Sequence, residues 1–221
     1  MAAPADAIPR SRAASGPVLF QAGFRPFFLA AGVWSLVALA VWVAMLSGYV
    51  NLPLAIDPLA WHSHEMLFGY AVAAVAGFLL TAIPNWTGRL PIQGTPLAVI
   101  AGLWLAGRLA LLTGGGLMGP FVVAAIDLSF LAVLLAAVAR EIGSGRNWRN
   151  LPVVGALALL LAANALMHAE AAGIAATGAL GARLGLATLL MLIGLVGGRI
   201  IPSFTRNWLV KRGETRLPVG F

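Results

Sequence analysis

The chain alternates between long apolar runs and short polar connections. Its apolar runs cover 27–49, 60–83, 95–113, 118–140, 151–171 and 182–202. Each has close to the length of about 20 residues that a helix needs to cross the hydrocarbon core of a bilayer. The runs are continuous and do not alternate residue by residue, which disfavours a transmembrane β-barrel. The pattern therefore predicts an all-α, polytopic transmembrane helix bundle of about six spans.

Polar tails flank the predicted membrane domain, which covers 26–210. Residues 1–25 are rich in Ala, Pro and Arg and are predicted to form a loose N-terminal tail, and 211–221 form a C-terminal tail. The first apolar run is long for a signal-peptide core, and no clear small-residue cleavage site follows it. It is therefore interpreted as a retained span.

Composition agrees with a membrane protein. Hydrophobic residues make up 61% of the chain and charged residues 10%, and the mean hydropathy is +0.94. A soluble domain carries about 25% charged residues, so this chain lacks the side chains to cover a water-facing surface. The absence of cysteine excludes disulfides and thiolate ligands within the chain.

The basic residues are unevenly divided between the two sides of the predicted bundle. With six spans, both termini share one side with the connections at 84–94 and 141–150. All Lys and Arg residues except Arg108 and Arg183 fall on that side. Positive charge in short loops marks the cytoplasmic side, which predicts cytoplasmic termini. The net charge of +7 is thereby explained without nucleic acid.

The segment 61–89 combines an apolar span with ionisable groups at one end. His62, His64 and Glu65 begin the second span, and His168 ends the fifth, so all three histidines lie at similar depth on the outer side. Ionisable groups in a bilayer are costly and mark functional sites, and imidazole is a ligand for copper and haem iron. The alternative is that the histidines are interfacial residues bonded to backbone or water.

Helical geometry separates the two histidines of the second span. At about 100° per residue, His62 and Glu65 share a stripe with small residues and are predicted to face the bundle. His64 is predicted to point away, unless the helix begins after it. Asn164 and His168, four residues apart, stack on one face of the fifth span. A site between the second and fifth spans is therefore geometrically feasible.

Two further charged residues lie at similar depth. Arg108 is near the end of the third span and Asp127 is well inside the fourth, which makes them candidates for an intramembrane ion pair with a structural role. Glu65 has two interpretations: a first-turn residue favoured by the helix dipole, or a residue that orients a ligand or carries protons. The methionines near the outer ends of spans are interpreted as core residues.

Four segments resemble the NnrS family, and the resemblance covers about 17–210. They are GFRPFF at 23–28, WHSHEMLFGY at 61–70, GFLLTAIPNWTG at 77–88 and RIIPSFTRN at 199–207. Residues of the family motifs include Arg25, Pro84, Trp86, Arg199, Pro202 and Arg206.

The resemblance implies a bacterial inner-membrane protein that contains haem and copper and takes part in the response to nitric oxide. It favours His62, His64 and His168 as haem or copper ligands. Glu65, Asn164 and Tyr70 are assigned supporting roles. The family bundle has more spans than this chain, so we expect the chain to represent an N-terminal half and to pair with a second membrane half or with itself.

The leading hypothesis is an outer metal site that binds nitric oxide or a related small ligand, or relieves its damage to other metal centres. Enzymatic turnover is left open. Two alternatives remain: a transporter of a small molecule or metal, and a haem-bearing anchor that passes electrons from quinol. A visible spectrum with metal analysis separates the transporter from the other two, and reactivity of the reduced protein with nitric oxide separates those two from each other.

Overall fold

The computed structural model describes residues 16–218, which form a bundle of six long helices. All six are long and apolar enough to span a membrane, which confirms the predicted fold class. No strand occurs within 16–218. The tail residues 1–15, with Arg10 and Arg12, and the last residues 219–221 lie outside the described part. The helices are α1 (Phe24–Leu46), α2 (Pro58–Thr87), α3 (Thr95–Thr113), α4 (Pro120–Ser144), α5 (Leu151–Ala171) and α6 (Gly178–Lys211).

Local sequence signals place several of the helix ends. Asp57 caps α2 by accepting hydrogen bonds from the backbone N–H groups of Leu59 and Ala60, and Pro58 occupies the first turn. Gly88, with φ of 69°, terminates the same helix in the left-handed region. These signals explain where α2 begins and ends.

The sixth helix is longer than the predicted run of 182–202. It continues through Pro202 to Lys211, and α2 likewise continues past Pro84. Proline is tolerated inside a transmembrane helix because neighbouring groups satisfy the freed carbonyls. The sequence prediction ended each run near its proline and therefore placed the helix ends too early.

Two ends of the bundle are distinguished by their connections. The connections 47–57 and 114–119 meet at one end, where Gly115 N donates to Pro53 O at 2.8 Å. We call the end formed by 47–57, 114–119 and 172–177 the histidine end. The opposite end, formed by 88–94, 145–150 and the chain beyond 211, is called the arginine end.

Helix α2 occupies the centre of the bundle. It contacts α1, α3, α4 and α6, and half of its most apolar stretch is buried, compared with 17% for α1. Between Glu65 and Ala71 it takes the wider π-helical form. Single π-helical turns inside α-helices frequently occur at functional sites, and this turn lies near the histidine end.

Candidate functional site

Seven polar side chains meet in the interior, toward the histidine end of the bundle. Five of the helices contribute to them, and the members are between 0% and 8% exposed. We call this group the polar cluster. It consists of Trp34 from α1, His64 and Glu65 from α2, Arg108 from α3, Asp127 from α4, and Asn164 and His168 from α5.

Arg108 joins the two carboxylates of the cluster. Its Nη1 donates to Glu65 Oε2 at 2.8 Å, and its Nη2 donates to Asp127 Oδ1. Trp34 Nε1 also donates to Glu65 Oε2, at 2.6 Å. The intramembrane pair of Arg108 and Asp127 is therefore present in the structure, and it extends to a second carboxylate that the sequence analysis did not connect with it.

A glycine makes this approach of side chains feasible. A Cβ atom added at Gly69 would lie 2.5 Å from Glu65 Oε2, 2.6 Å from Arg108 Nη1 and 2.8 Å from Trp34 Nε1. The carbonyl of Gly69, within the π-helical turn, accepts a hydrogen bond from Trp104 Nε1 at 2.9 Å. The turn therefore exposes a backbone acceptor while the missing side chain leaves room for the ion pair.

The second oxygen of Asp127 connects the α5 residues and His64. Asp127 Oδ2 accepts from Asn164 Nδ2 at 2.8 Å and lies 2.9 Å from His168 Nε2 and 3.2 Å from His64 Nε2. Because the Asn164 amide nitrogen is directed to the carboxylate, its Oδ1 faces His64 Nε2, at 2.7 Å. Asn164 thus holds the imidazole of His64 next to the carboxylate.

His64 contacts hydrogen-bond acceptors with both ring nitrogens. Its Nδ1 lies 3.3 Å from Glu65 Oε1, and its Nε2 faces the oxygens of Asn164 and Asp127. A neutral imidazole has only one N–H, so one of these nitrogens then meets an acceptor without a proton. The arrangement is satisfied by a second proton on His64 or by a metal ion between Nε2 and the oxygens.

The charges of the cluster lead to the same conclusion. Glu65 and Asp127 carry two negative charges when ionised, and Arg108 supplies one positive charge. A buried unpaired charge is strongly destabilising, so the cluster requires one additional positive charge. The requirement is met by a bound cation, by a protonated histidine or by a proton on one of the two carboxyl groups.

Three groups of the cluster have the spacing of metal ligands. His64, Asp127 and His168 each offer one ligand atom, and these atoms lie within 4.8 Å of one another. Imidazole nitrogen and carboxylate oxygen suit copper, zinc and iron ions. The group fits a single metal ion. It does not fit a haem, because its side chains are at most 5% exposed and a macrocycle needs open space beside its axial ligand.

The predicted orientations of the two α2 histidines are wrong. His64 is 0% exposed and lies in the cluster, whereas His62 is only partly buried and stacks on Trp42 of α1, with ring centroids 3.8 Å apart and planes 9° apart. The prediction assumed one narrow inward face. Because α2 is surrounded by other helices, its buried face is wide enough to include both His64 and Glu65.

His62 nevertheless has an unusual environment. Its Nδ1 is buried and has no hydrogen-bond partner within the described chain, and the same holds for Nε1 of Trp42. His62 is thus separate from the group formed by His64, Asp127 and His168.

The remaining predicted site residues lie away from the cluster. Tyr70 is 41% exposed, and among the described residues its hydroxyl makes no hydrogen bond to the cluster. The motif residues near the arginine end have structural contacts: Arg25 Nη1 donates to Val18 O at 2.8 Å, and Arg199 Nη1 donates to Asn150 Oδ1 at 2.7 Å. The others there are Pro84, Trp86, Pro202 and Arg206, of which Arg206 is exposed.

Arg108, Asp127 and His168 are all buried by helices of this chain. Trp34 is the cluster member that the sequence analysis missed. No sequence signal distinguishes it from the other tryptophans, because its role depends on the packing of α1 against α2.

A family model described as NnrS protein matches residues 18–220, nearly the whole chain. No curated protein and no solved structure matches the chain.

Proposed function

Since the chain belongs to the NnrS family, we propose that this multi-pass membrane protein binds copper and haem and acts in the nitric oxide response of a bacterial inner membrane. A role in that response fits the family in general, as does the binding of metal or haem. The specific assignment is that copper occupies the group formed by His64, Asp127 and His168.

One observation carries this assignment: three metal-ligating groups lie within 4.8 Å of one another inside a buried polar cluster. His64, His168 and Asp127 would hold the ion. Copper bound there would supply a one-electron redox centre with affinity for nitric oxide. Ligating side chains are normally oriented by hydrogen bonds from their neighbours. Here Asn164 orients both His64 and Asp127, and Arg108 balances the carboxylates.

The haem is supported by the family alone. The closed cluster does not accommodate it, and no step is assigned to it. His62 remains the histidine outside the cluster, with a partly exposed ring beside Trp42. The visible spectrum of the purified protein tests for haem independently of copper, and haem loss in His62→Ala would show that haem binding depends on that residue.

The copper assignment is tested by metal content. Wild type, His64→Ala, His168→Ala and His62→Ala are purified at equal expression from copper-supplemented cells, and copper per polypeptide is measured. The variants His64→Ala and His168→Ala are expected to lose most of the copper. His62→Ala, a histidine two residues away on the same helix, serves as the matched control and is expected to retain it.

Two results would contradict the assignment. The first is wild-type copper content in both cluster variants. The second is a wild-type protein that binds no copper even after reconstitution with Cu(II) in lipid. Circular dichroism of each variant shows whether a loss of copper reflects a loss of the helical fold.

A further inference from the structure

A cavity of about 510 Å³ opens at the histidine end, between the start of α2, the end of α5 and the start of α6. Its polar lining comes from Asp57, Ser63 and Glu170, and Met167 contributes a thioether. The rest of the lining is small or aliphatic, and no Lys or Arg is among the described lining residues. The cavity is therefore electronegative.

Both carboxylates of this cavity are held in place by backbone N–H groups. Asp57 Oδ1 accepts from the first turn of α2, at 2.9 Å from Leu59 N. Glu170 Oε2 accepts from Gly178 N, at 2.8 Å. A cleft with one sign of charge and low-dielectric walls concentrates ions of the opposite sign, so these carboxylates attract cations to this end of the bundle.

The cavity is lined by residues that are sequence neighbours of two of the proposed ligands, His64 and His168. Ser63 and Met167 line it, and each immediately precedes a ligand, His64 or His168. Of the three ligands, His168 is the most exposed, at 5%. His168 therefore lies at the end of α5 whose neighbouring residues, Met167 and Glu170, line the cavity.

We propose that this cavity is the entrance through which a copper ion reaches His64, Asp127 and His168 from the histidine end. Asp57 and Glu170 attract the ion, and Met167 lines the route. The proposal rests on the proposed copper site and adds the route and side of loading.

The route has a kinetic signature. Charges at an entrance lower the energy of the ion in passage more than its energy at the final ligands. Removing them is therefore expected to slow loading and release together, with a smaller change in affinity. Loading by the wild type is expected to slow as salt is added, because the Debye length falls from about 30 Å at 0.01 M to about 3 Å at 1 M.

The test uses the full chain in lipid nanodiscs with Cu(II) supplied as a weak glycine complex. Stopped-flow quenching of tryptophan fluorescence follows loading, and the phase that is absent in His64→Ala identifies the cluster. The double variant Asp57→Asn with Glu170→Gln preserves the N-cap and the amide oxygen as acceptors. At low salt it is expected to load roughly tenfold more slowly and to reach the same copper content.

A second variant blocks the cavity without removing charge. Ala179→Phe places a large ring at an exposed position of the lining and is expected to slow loading. Ala136→Phe, at an exposed position that lines a cavity at the arginine end, is the matched control and is expected to load like the wild type.

The outcomes separate the two proposals. If the Asp57→Asn/Glu170→Gln double variant and Ala179→Phe both load at the wild-type rate and reach full copper content, the entrance is wrong and the copper site stands. If the wild type itself shows no cluster-dependent copper binding, the proposed function fails. Slow loading in the double variant and in Ala179→Phe, with wild-type loading in Ala136→Phe, supports both the copper site and the entrance.

Discussion

At the scale of single residues, Arg108 determines whether the polar cluster is tolerated in the bundle. Its guanidinium contacts Glu65 and Asp127 while being only 1% exposed. Removing one partner of a buried ion pair leaves an uncompensated charge, which costs roughly 3–5 kcal/mol. Arg108→Met, which preserves much of the side-chain volume, is therefore expected to destabilise the protein by that amount, as measured by SDS-induced unfolding followed by circular dichroism.

The same change becomes less harmful when a carboxylate is neutralised with it. The double variant Arg108→Met with Glu65→Gln is expected to recover roughly 1–3 kcal/mol, because contacting residues are energetically coupled. Arg183→Met, at an exposed position of α6, is the control and is expected to stay within about 0.5 kcal/mol of the wild type. Strictly additive losses in the double variant would show that the pair is not electrostatically coupled.

Residue depth could be predicted from the sequence, whereas residue direction could not. The ion pair of Arg108 and Asp127 could be predicted because the position of a residue along a span gives its depth in the membrane. The directions of His62 and His64 depend on which helices surround α2, and that information lies in contacts between distant parts of the chain. The link from Trp34 to Glu65 was missed for the same reason.

At the scale of the element, α2 depends on a glycine in its π-helical turn. Gly69→Ala would place a methyl group 2.5 Å from Glu65 Oε2 and 2.6 Å from Arg108 Nη1. Overpacking of a filled interior costs roughly 1–3 kcal/mol, and displacement of Glu65 also disturbs His64. The variant is expected to lose stability by that amount and to bind less copper, as shown by SDS-induced unfolding and metal analysis.

A matched glycine separates this effect from helix propensity. Gly32 lies in α1 with no atom within 4 Å of an added Cβ. Gly32→Ala is therefore expected to be neutral or to stabilise by about 0.5–1 kcal/mol. If Gly69→Ala behaves like Gly32→Ala, the close packing around the π-helical turn does not hold the cluster together.

The number and order of helices could be predicted because the bilayer imposes both length and apolarity on each span. Interior prolines limited the accuracy of the boundaries, since the same residue that ends a helix in water is accommodated inside α2 and α6. The π-helical turn at Glu65–Ala71 could not be predicted, because it depends on partners such as Trp104, which donates to the Gly69 carbonyl.

At the scale of the whole molecule, the two ends of the bundle differ in charge and chemistry. The arginine end is basic, and there Glu141 accepts from both Arg89 and Arg140. The histidine end contains the electronegative cavity with Asp57 and Glu170. By the distribution of Lys and Arg, we expect the arginine end in the cytoplasm, which directs the copper entrance to the outside of the cell.

This orientation is tested with single cysteines, since the chain contains none. Asn51→Cys and Ala175→Cys lie at exposed positions of the histidine end, and Ser144→Cys and Thr215→Cys at exposed positions of the arginine end. An impermeant thiol reagent added to intact spheroplasts is expected to label the first two and to label the second two only after permeabilisation. Labelling of Ser144→Cys and Thr215→Cys in intact spheroplasts, with protection of the other two, would reverse the orientation. The entrance would then open to the cytoplasm, and copper would have to be loaded from inside the cell.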